Sequence, residues 1–520
     1  MSGAVQWGWF ESPWDRLAGA RKESKYVAAE VREKLAERLA QFIERDIAAG
    51  GFRVGDKLGT EEALSVQYSV SRTVLREALA LVERSGLLHA RRGKGGGLIV
   101  GEVTAETIAA NLQRYLDFIS QDYEETLDLR RTIEGLTSRL ASERLDDEQL
   151  AILRELLHQH AAATAPRDLV TVTVKMVRQS EVAAKNPMLQ VASLLVGRQT
   201  LHHLAASGAI QRSVFERTPE AIEDANTRAA LIRAIIAGEV GHGWQHVCRL
   251  MEIFHGLISG PTWVRPAHAA DAEAVLNLMG VGKESGLAHQ VASSIKARIV
   301  EQQLGEGDSL GSESSLIADL GVGRGVFRSA VRLLEQLSVV KMVSGKKGGL
   351  RVLTPDPRSI IARSVTQLRT LGVAWGDIEE VTGVLAPLAI ERAMKAIDAP
   401  SRMELLEPFD ALTQGEGASL RELAAAYHGV LAKISSHSSP SLSFIFSLMQ
   451  ALIPLCDGRE LENVRISGVN REAFAALSTA VLAGDVELAR RRLIALPKVG
   501  FRFVVRTQSV RLQGEPDSLP

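Results

Sequence analysis

Cysteine is nearly absent: Cys248 and Cys456 are the only two in 520 residues. That excludes a disulfide scaffold and a zinc site built on thiolates. No apolar run is long enough to span a bilayer, so no membrane segment is expected. The first fifteen residues lack a basic start followed by an apolar core. They are therefore not a secretory signal, and a reducing, cytoplasmic location follows. Aromatic residues make up only 5%, yet Trp7, Trp9, Phe10 and Trp14 crowd the start, which reads as an N-terminal arm over 1–24. Large charge of either sign is also missing, the net value being −1. Charge must then be counted locally. Residues 25–100 hold 13 Lys/Arg against 10 Asp/Glu, and residues 289–352 hold 9 against 6. Both surpluses are small, so the placement of the charges matters more than their number. No Ser-His-Asp set, phosphate loop or framed carboxylate pair occurs, which argues against an enzyme.

What the chain does contain is a repeat. Gly55-Asp56-Lys57-Leu58-Gly59-Thr60-Glu61 returns as Gly307-Asp308-Ser309-Leu310-Gly311-Ser312-Glu313. Arg72, Arg76 and Gly97 return as Arg324, Arg328 and Gly349, always at an offset of 252. A period near half the chain length means a duplicated module. Each copy opens with helical spacing, as at Val31, Leu35, Leu39, Phe42, Ile43 and Ile47 over 27–49. A short helix from about Glu61 to Tyr68 and a third helix to about Ser85 follow. A basic, glycine-rich hairpin closes the copy between Leu87 and Val100. Three helices and a hairpin make a winged helix-turn-helix.

Residues between the copies read as almost entirely helical, with amphipathic stretches at 127–145, 148–160, 189–201, 222–236 and 244–258. Gly238 and Gly241 are expected to part the last two. The fold class is therefore mainly α: two winged helix-turn-helix domains, each with a small β-wing and each followed by an all-α bundle. The expected boundaries are 25–100 and 104–258 for the first half, a linker over 259–286, then 287–353 and 358–500 for the second. A polar, disordered tail is expected over 507–520.

The repeated module has the chemistry of a DNA reader. In the third helix Leu75, Ala78, Leu79 and Val82 share one face, as do Phe327, Ala330, Val331 and Leu334 at the same offset. That face packs inward and leaves Arg72 and Arg76, four apart, as outward neighbours. Ser71 is placed to cap the helix, with Thr73 in its first turn. The N-terminal end of such a helix is what enters a major groove, where an arginine fork grips guanine or phosphate. Arg324 and Arg328 repeat the pair. The wings add Arg91, Arg92, Lys94 and Gly95 in one copy and Lys346, Lys347 and Gly348 in the other. Thr60 and Ser312 start the second helix, where a hydroxyl and free N–H groups suit a phosphate.

On these motifs both modules resemble the DNA-binding domain of the GntR family of bacterial regulators. The family pattern runs G-x-x-x-P-G-D-x-L-P-S-E, then V-S-R-x-x-V-R-E-A-L, then a basic glycine-rich wing. The helical domains resemble the FCD effector domain of the FadR subfamily. The family's proline is Gly59 and Gly311 here, and its arginine after S-E is Glu62 and Ser314. The second recognition helix starts Gly323-Arg324-Gly325. Both its cap and its propensity are weaker, so the first copy is expected to be the stronger reader.

FCD domains often hold a divalent metal through an Asp-x3-His pair and two further histidines. By the resemblance those positions fall on Thr173, Val177, Arg228 and Leu250, and in the second half on Ala424, His428, Phe474 and Leu496. One imidazole does not hold a metal, so no metal and no cofactor are expected. His242 and His246 are four apart and could pair on a metal, but read more simply as surface or packing residues. Arg130, at a pocket-facing family position, and Arg228 would bind an anionic effector without metal. Ordinary salt bridges explain them equally well. His428 remains a candidate effector contact in the second half.

The resemblance implies a transcription regulator, a repressor by default, acting at the bacterial nucleoid. Its partners would be a double-stranded, near-palindromic operator and a small carboxylate or acyl effector. The usual two-fold dimer would be fused into one chain, leaving open whether that chain pairs again. The alternative is a constitutive DNA binder or assembly scaffold whose effector domains have lost sensing.

Overall fold

The computed structural model describes residues 35–505, except for 37, 41, 45, 48–51, 85, 92–96, 120–121, 208, 210–215, 261–286, 337–338, 344–347, 354–356, 415 and 457–463. The N-terminal arm, the linker from residue 261 on and the polar tail lie outside the described residues. The described residues up to Glu102 form one compact unit, and the described residues from Val103 onward form a second.

In the first unit, helix α1 is Glu61–Gln67 and α2 is Arg72–Arg84. Residues before them are helical where described between 35 and 47. Leu75, Ala78, Leu79 and Val82 are all buried, as the shared face requires. Strands β1 (Lys57–Gly59), β2 (Leu88–Arg91) and β3 (Gly97–Val100) form an antiparallel sheet in the order β1-β3-β2. The wing is thus a sheet of three strands rather than a bare hairpin. Gly97 is required by this third strand: at φ +149° a Cβ there would lie 2.9 Å from the carbonyl oxygen of Gly59.

The second copy, within the second unit, repeats this residue for residue. Helix α10 is Leu287–Glu301, α11 Glu313–Leu320 and α12 Arg324–Gln336. Phe327, Ala330, Val331 and Leu334 pack into its core with Val291, Ile295, Leu316 and Leu350. Strands β4 (Ser309–Gly311), β5 (Val340–Val343) and β6 (Gly349–Val352) again run in the order β4-β6-β5. Lys57 pairs with Ile99 and Ser309 with Arg351, so the offset of 252 holds even in strand register.

The remainder of the second unit is two helical halves. The first has α3 (Ala105–Ile119), α4 (Tyr123–Arg144), α5 (Asp147–Ala162), α6 (Pro166–Ala183), α7 (Pro187–Ala206), α8 (Pro219–Ala237) and α9 (Val240–Ser259). Gly238 ends α8 in a left-handed cap at φ +72°. Gly241 breaks nothing: it lies inside α9, whose first turn begins two residues after that cap. The second half has α13 (Arg358–Thr370), α14 (Trp375–Ala396), α15 (Leu420–Ser435), α16 (Pro440–Leu452), α17 (Arg471–Ala483) and α18 (Val486–Val499). Where the first half has α5, the second has short 3-10 turns opening at Pro400 and Glu407. Strands β7 (Val464–Val469) and β8 (Phe501–Val505) pair antiparallel, so this half is not purely helical.

The halves meet through equivalent elements: α3 packs on α13 and α4 on α14. The polar contacts reciprocate. Asn186, the residue before α7, donates to Glu380 (2.9 Å) and to the carbonyl of Asp377 on α14. Ser439, the residue before α16, donates to Glu125 on α4 (2.6 Å), which also accepts from the Ser441 amide. Arg144 pairs with Glu380, while Arg392 pairs with Asp128 (2.6 Å). Like elements touching like, with swapped donor and acceptor, are what a two-fold axis produces.

Candidate nucleic-acid interface

Each recognition helix presents its arginines at the first turns. Ser71 caps α2, its hydroxyl accepting from the Val74 amide (3.3 Å). The second copy has Gly323 there and no side chain to cap with. Arg72 and Arg76 are exposed, with side chains 64% and 67% accessible. Thr73 is exposed beside them. Thr60 and Ser312 are both N-caps, their hydroxyl oxygens accepting from Ala63 and Ser315 (3.2 Å each). The Ser312 hydroxyl also faces that of Ser314 (3.1 Å). Arg91 is exposed on β2 and Gly348 precedes β6. Arg92, Lys94, Gly95, Lys346 and Lys347 lie outside the described residues.

The pairing of these arginines is not visible in the sequence pattern. Arg72 donates to Glu62 (2.6 Å) and Arg76 to Glu61 (2.8 Å). In the second copy one carboxylate, Glu313, faces both Arg324 (3.6 Å) and Arg328 (3.0 Å). The tip of the first helix is therefore neutralised by its neighbour α1, whereas the second keeps one positive charge in excess. Exposed pairs of this kind are worth about 0.2–1 kcal/mol. A phosphate can displace them. Glu62→Gln is expected to tighten DNA binding about two- to fivefold at moderate salt, read by fluorescence anisotropy. Weaker binding would mean that Glu62 holds Arg72 in its productive pose.

The comparisons decide what these modules are. Residues 35–97 and 287–349 each match the family model of bacterial regulatory proteins, gntR family. Both modules belong to the gntR family. The HTH-type protein RmpR of Mycobacterium gastri is 30% identical over 175 residues, 33% of this chain and 62% of that protein. The HTH-type transcriptional repressor NanR of Klebsiella aerogenes is 33% identical over 132 residues, 24% of this chain and 49% of its own. The Exu regulon transcriptional regulator of Escherichia coli is 27% identical over 135 residues, 26% of this chain and 51% of its own. The chain thus spans about half the length of the relatives it matches. Among the described residues no helix is long and apolar enough to cross a membrane.

The first helical half holds a half-open cavity of about 150 Å³. Arg130, Thr173, Val177 and Arg228 all line it; Leu250 is buried in the surrounding core. Arg130 donates through Nε to Glu134 (2.7 Å). Arg228 grips the same carboxylate with both terminal nitrogens (2.8 and 3.0 Å). The Phe254 ring lies under both guanidinium groups, 4.4 and 5.7 Å from its centroid. Burial pushes the Glu134 carboxyl up, but the two guanidinium groups outweigh it and hold the group at about 2. Burial likewise lowers Arg130 and raises Asp224. Among the described residues no three His, Cys, Asp or Glu side chains gather as a metal site. His242 instead turns to Glu239 (2.8 Å) at the surface.

The matching residues of the second half bond to one another. Ala424, His428, Phe474 and Leu496 are all buried. His428 Nδ1 sits 2.8 Å from the Ala424 carbonyl and Nε2 2.7 Å from the Thr382 hydroxyl. The carbonyl requires a proton on Nδ1, which leaves Nε2 as an acceptor sharing the Thr382 proton with the Ile378 carbonyl (2.8 Å). Both nitrogens thereby have partners within the protein, whereas Arg130 and Arg228 face the cavity of the first half. Burial lowers His428 to about 4. The unfolded chain, with histidine near 6.5, then binds more protons than the folded one between about pH 6.5 and 4. Stability is lost as pH falls through that window, about 2 kcal/mol by pH 5. His428→Gln is expected to flatten the acid limb of a denaturation series. An unchanged slope would show that His428 protonates freely in the folded state.

Proposed function

We propose that this chain is a DNA-binding transcription regulator in which the two-fold dimer typical of such proteins is fused into one polypeptide. The observation that carries it is the gntR module written twice at a constant offset, each time with exposed arginines at the tip of the recognition helix. Half-site symmetry mirrors protein symmetry. Two non-identical heads therefore read a near-palindrome whose half-sites differ. Repression by occluding polymerase is the simplest outcome, in keeping with the name of the Klebsiella relative. The helical halves play the part of FCD-type effector domains, and the reciprocal contacts of α3 with α13 and α4 with α14 support the fused-dimer reading.

A small organic-acid effector would act at Arg130 and Arg228, by binding one DNA-competence state better than the other. The bond between His428 and Thr382 favours a scaffold role for the second half. The test is recovery of genomic fragments bound by the purified chain, followed by competition at moderate salt. One fragment class should survive random competitor, with affinity falling steeply as salt rises. No preference for any fragment would end this reading.

A further inference from the structure

The cavity of the first half is built with donors and an acceptor that its own residues do not satisfy. Arg228 spends both terminal nitrogens on Glu134. Arg130 spends only Nε there, and among the described residues its terminal nitrogens donate no hydrogen bond. Yet Arg130 is only 8% exposed. Opposite in sign, the Asp224 Oδ1 atom is buried without a hydrogen bond, its nearest cation being Arg228 Nε at 4.0 Å. The Asp224 charge is felt at Arg130, but the two make no ion pair. Buried polar groups left in this state are costly and call for a partner.

Charged residues of both signs line the cavity: Arg130, Arg178, Arg198 and Arg228 with Glu134, Glu181 and Asp224. A plain anion would meet only the Arg130 terminal nitrogens, whereas a molecule carrying both signs would meet those and the Asp224 oxygen as well. The other walls are aliphatic, among them Leu169, Val170, Val174, Leu194 and Leu257. A cavity of about 150 Å³ holds a body the size of benzene, so the occupant has roughly six to nine non-hydrogen atoms.

Resting on the effector reading above, we propose that this cavity binds, without a metal, a small amino acid with an aliphatic side chain. The terminal nitrogens of Arg130 take its carboxylate and Asp224 takes its ammonium. One molecule binds per chain, because Thr382 and His428 close the corresponding place in the second half on each other.

The experiment is calorimetric titration of the full chain with leucine, valine, isoleucine and norvaline, alongside 4-methylpentanoate and 3-methylbutylamine. At least one amino acid should bind at one per chain, with both single-charge analogues about tenfold or more weaker. Arg130→Met should abolish binding. Val174→Phe, which fills the cavity and leaves every charge in place, should do the same in a chain whose circular dichroism is unchanged. Asp224→Asn should bring 4-methylpentanoate level with the amino acid. The proposal is overturned by equal binding of 4-methylpentanoate to the unaltered chain, by two sites per chain, by binding that survives both Arg130→Met and Val174→Phe, or by silence towards all four amino acids at millimolar concentration. Operator binding is measured on the same preparation. Silence with operator binding intact removes this inference alone, whereas a chain that binds no operator removes the reading beneath it.

Discussion

Replacing Arg72 and Arg76 together by alanine is expected to abolish preference for the operator while leaving the fold intact. Both side chains are exposed and neither belongs to the buried face of α2. The loss is therefore one of recognition rather than stability. A well-placed arginine contact to a base is worth about 1–3 kcal/mol, so the pair should cost about 2–6 kcal/mol of discrimination, partly offset because Glu61 and Glu62 are also released. Arg324→Ala with Arg328→Ala should cost less. Two effects compete there. The second tip faces one carboxylate instead of two, which favours it by about 0.2–1 kcal/mol. Against that, Gly325 in the first turn costs about 1 kcal/mol of helix propensity and the glycine cap a few tenths more. The backbone terms win narrowly, so the first head leads. Competition binding on one fragment measures both double variants. Undiminished preference in the Arg72/Arg76 variant would place DNA recognition elsewhere.

The second large effect concerns the buried charges of the first half. Glu134→Gln would leave Arg130 and Arg228 without their shared carboxylate at 8% and 4% exposure. Breaking such a group from one side costs about 3–5 kcal/mol, or a fall of roughly 6–20 °C in the melting transition of the unit that carries it. Replacing all three by apolar residues of similar volume, Arg130→Met with Glu134→Leu and Arg228→Met, should restore stability or exceed it. This variant also separates folding from the proposed sensing, since it keeps the packed half and removes both guanidinium groups that an anion would meet. If Glu134→Gln melts like the unaltered chain, the carboxylate is not the counter-charge that the geometry makes it.

The heads and their buried faces were legible from the sequence because a helix repeats every few residues and a duplication repeats every 252. The mainly α fold class followed from the same periodicities. Contacts between elements were not legible. Glu62 was read as a missing arginine, but its bond to Arg72 joins two helices ten residues apart that only the turn brings together. Lys57–Gly59 is too short to show a strand's alternation, so the third strand of each wing went unseen. Val464–Val469 and Phe501–Val505 pair across two intervening helices, a separation that local patterns cannot register. Asp224 carried no signal either: its company with Arg130, Glu134 and Arg228 is assembled from two helices, α4 and α8, far apart in the chain.

The packing of α3 on α13 and of α4 on α14 has a kinetic meaning as well. Separate subunits must find one another before they can grip two half-sites, so their occupancy of a promoter varies with the square of abundance when they are scarce. On the proposed fused-dimer reading the encounter is intramolecular, at an effective concentration set by the tether. A cell holding only a few copies would keep its promoter occupied in simple proportion to their number. Random partitioning at division would then dilute regulation without collapsing it.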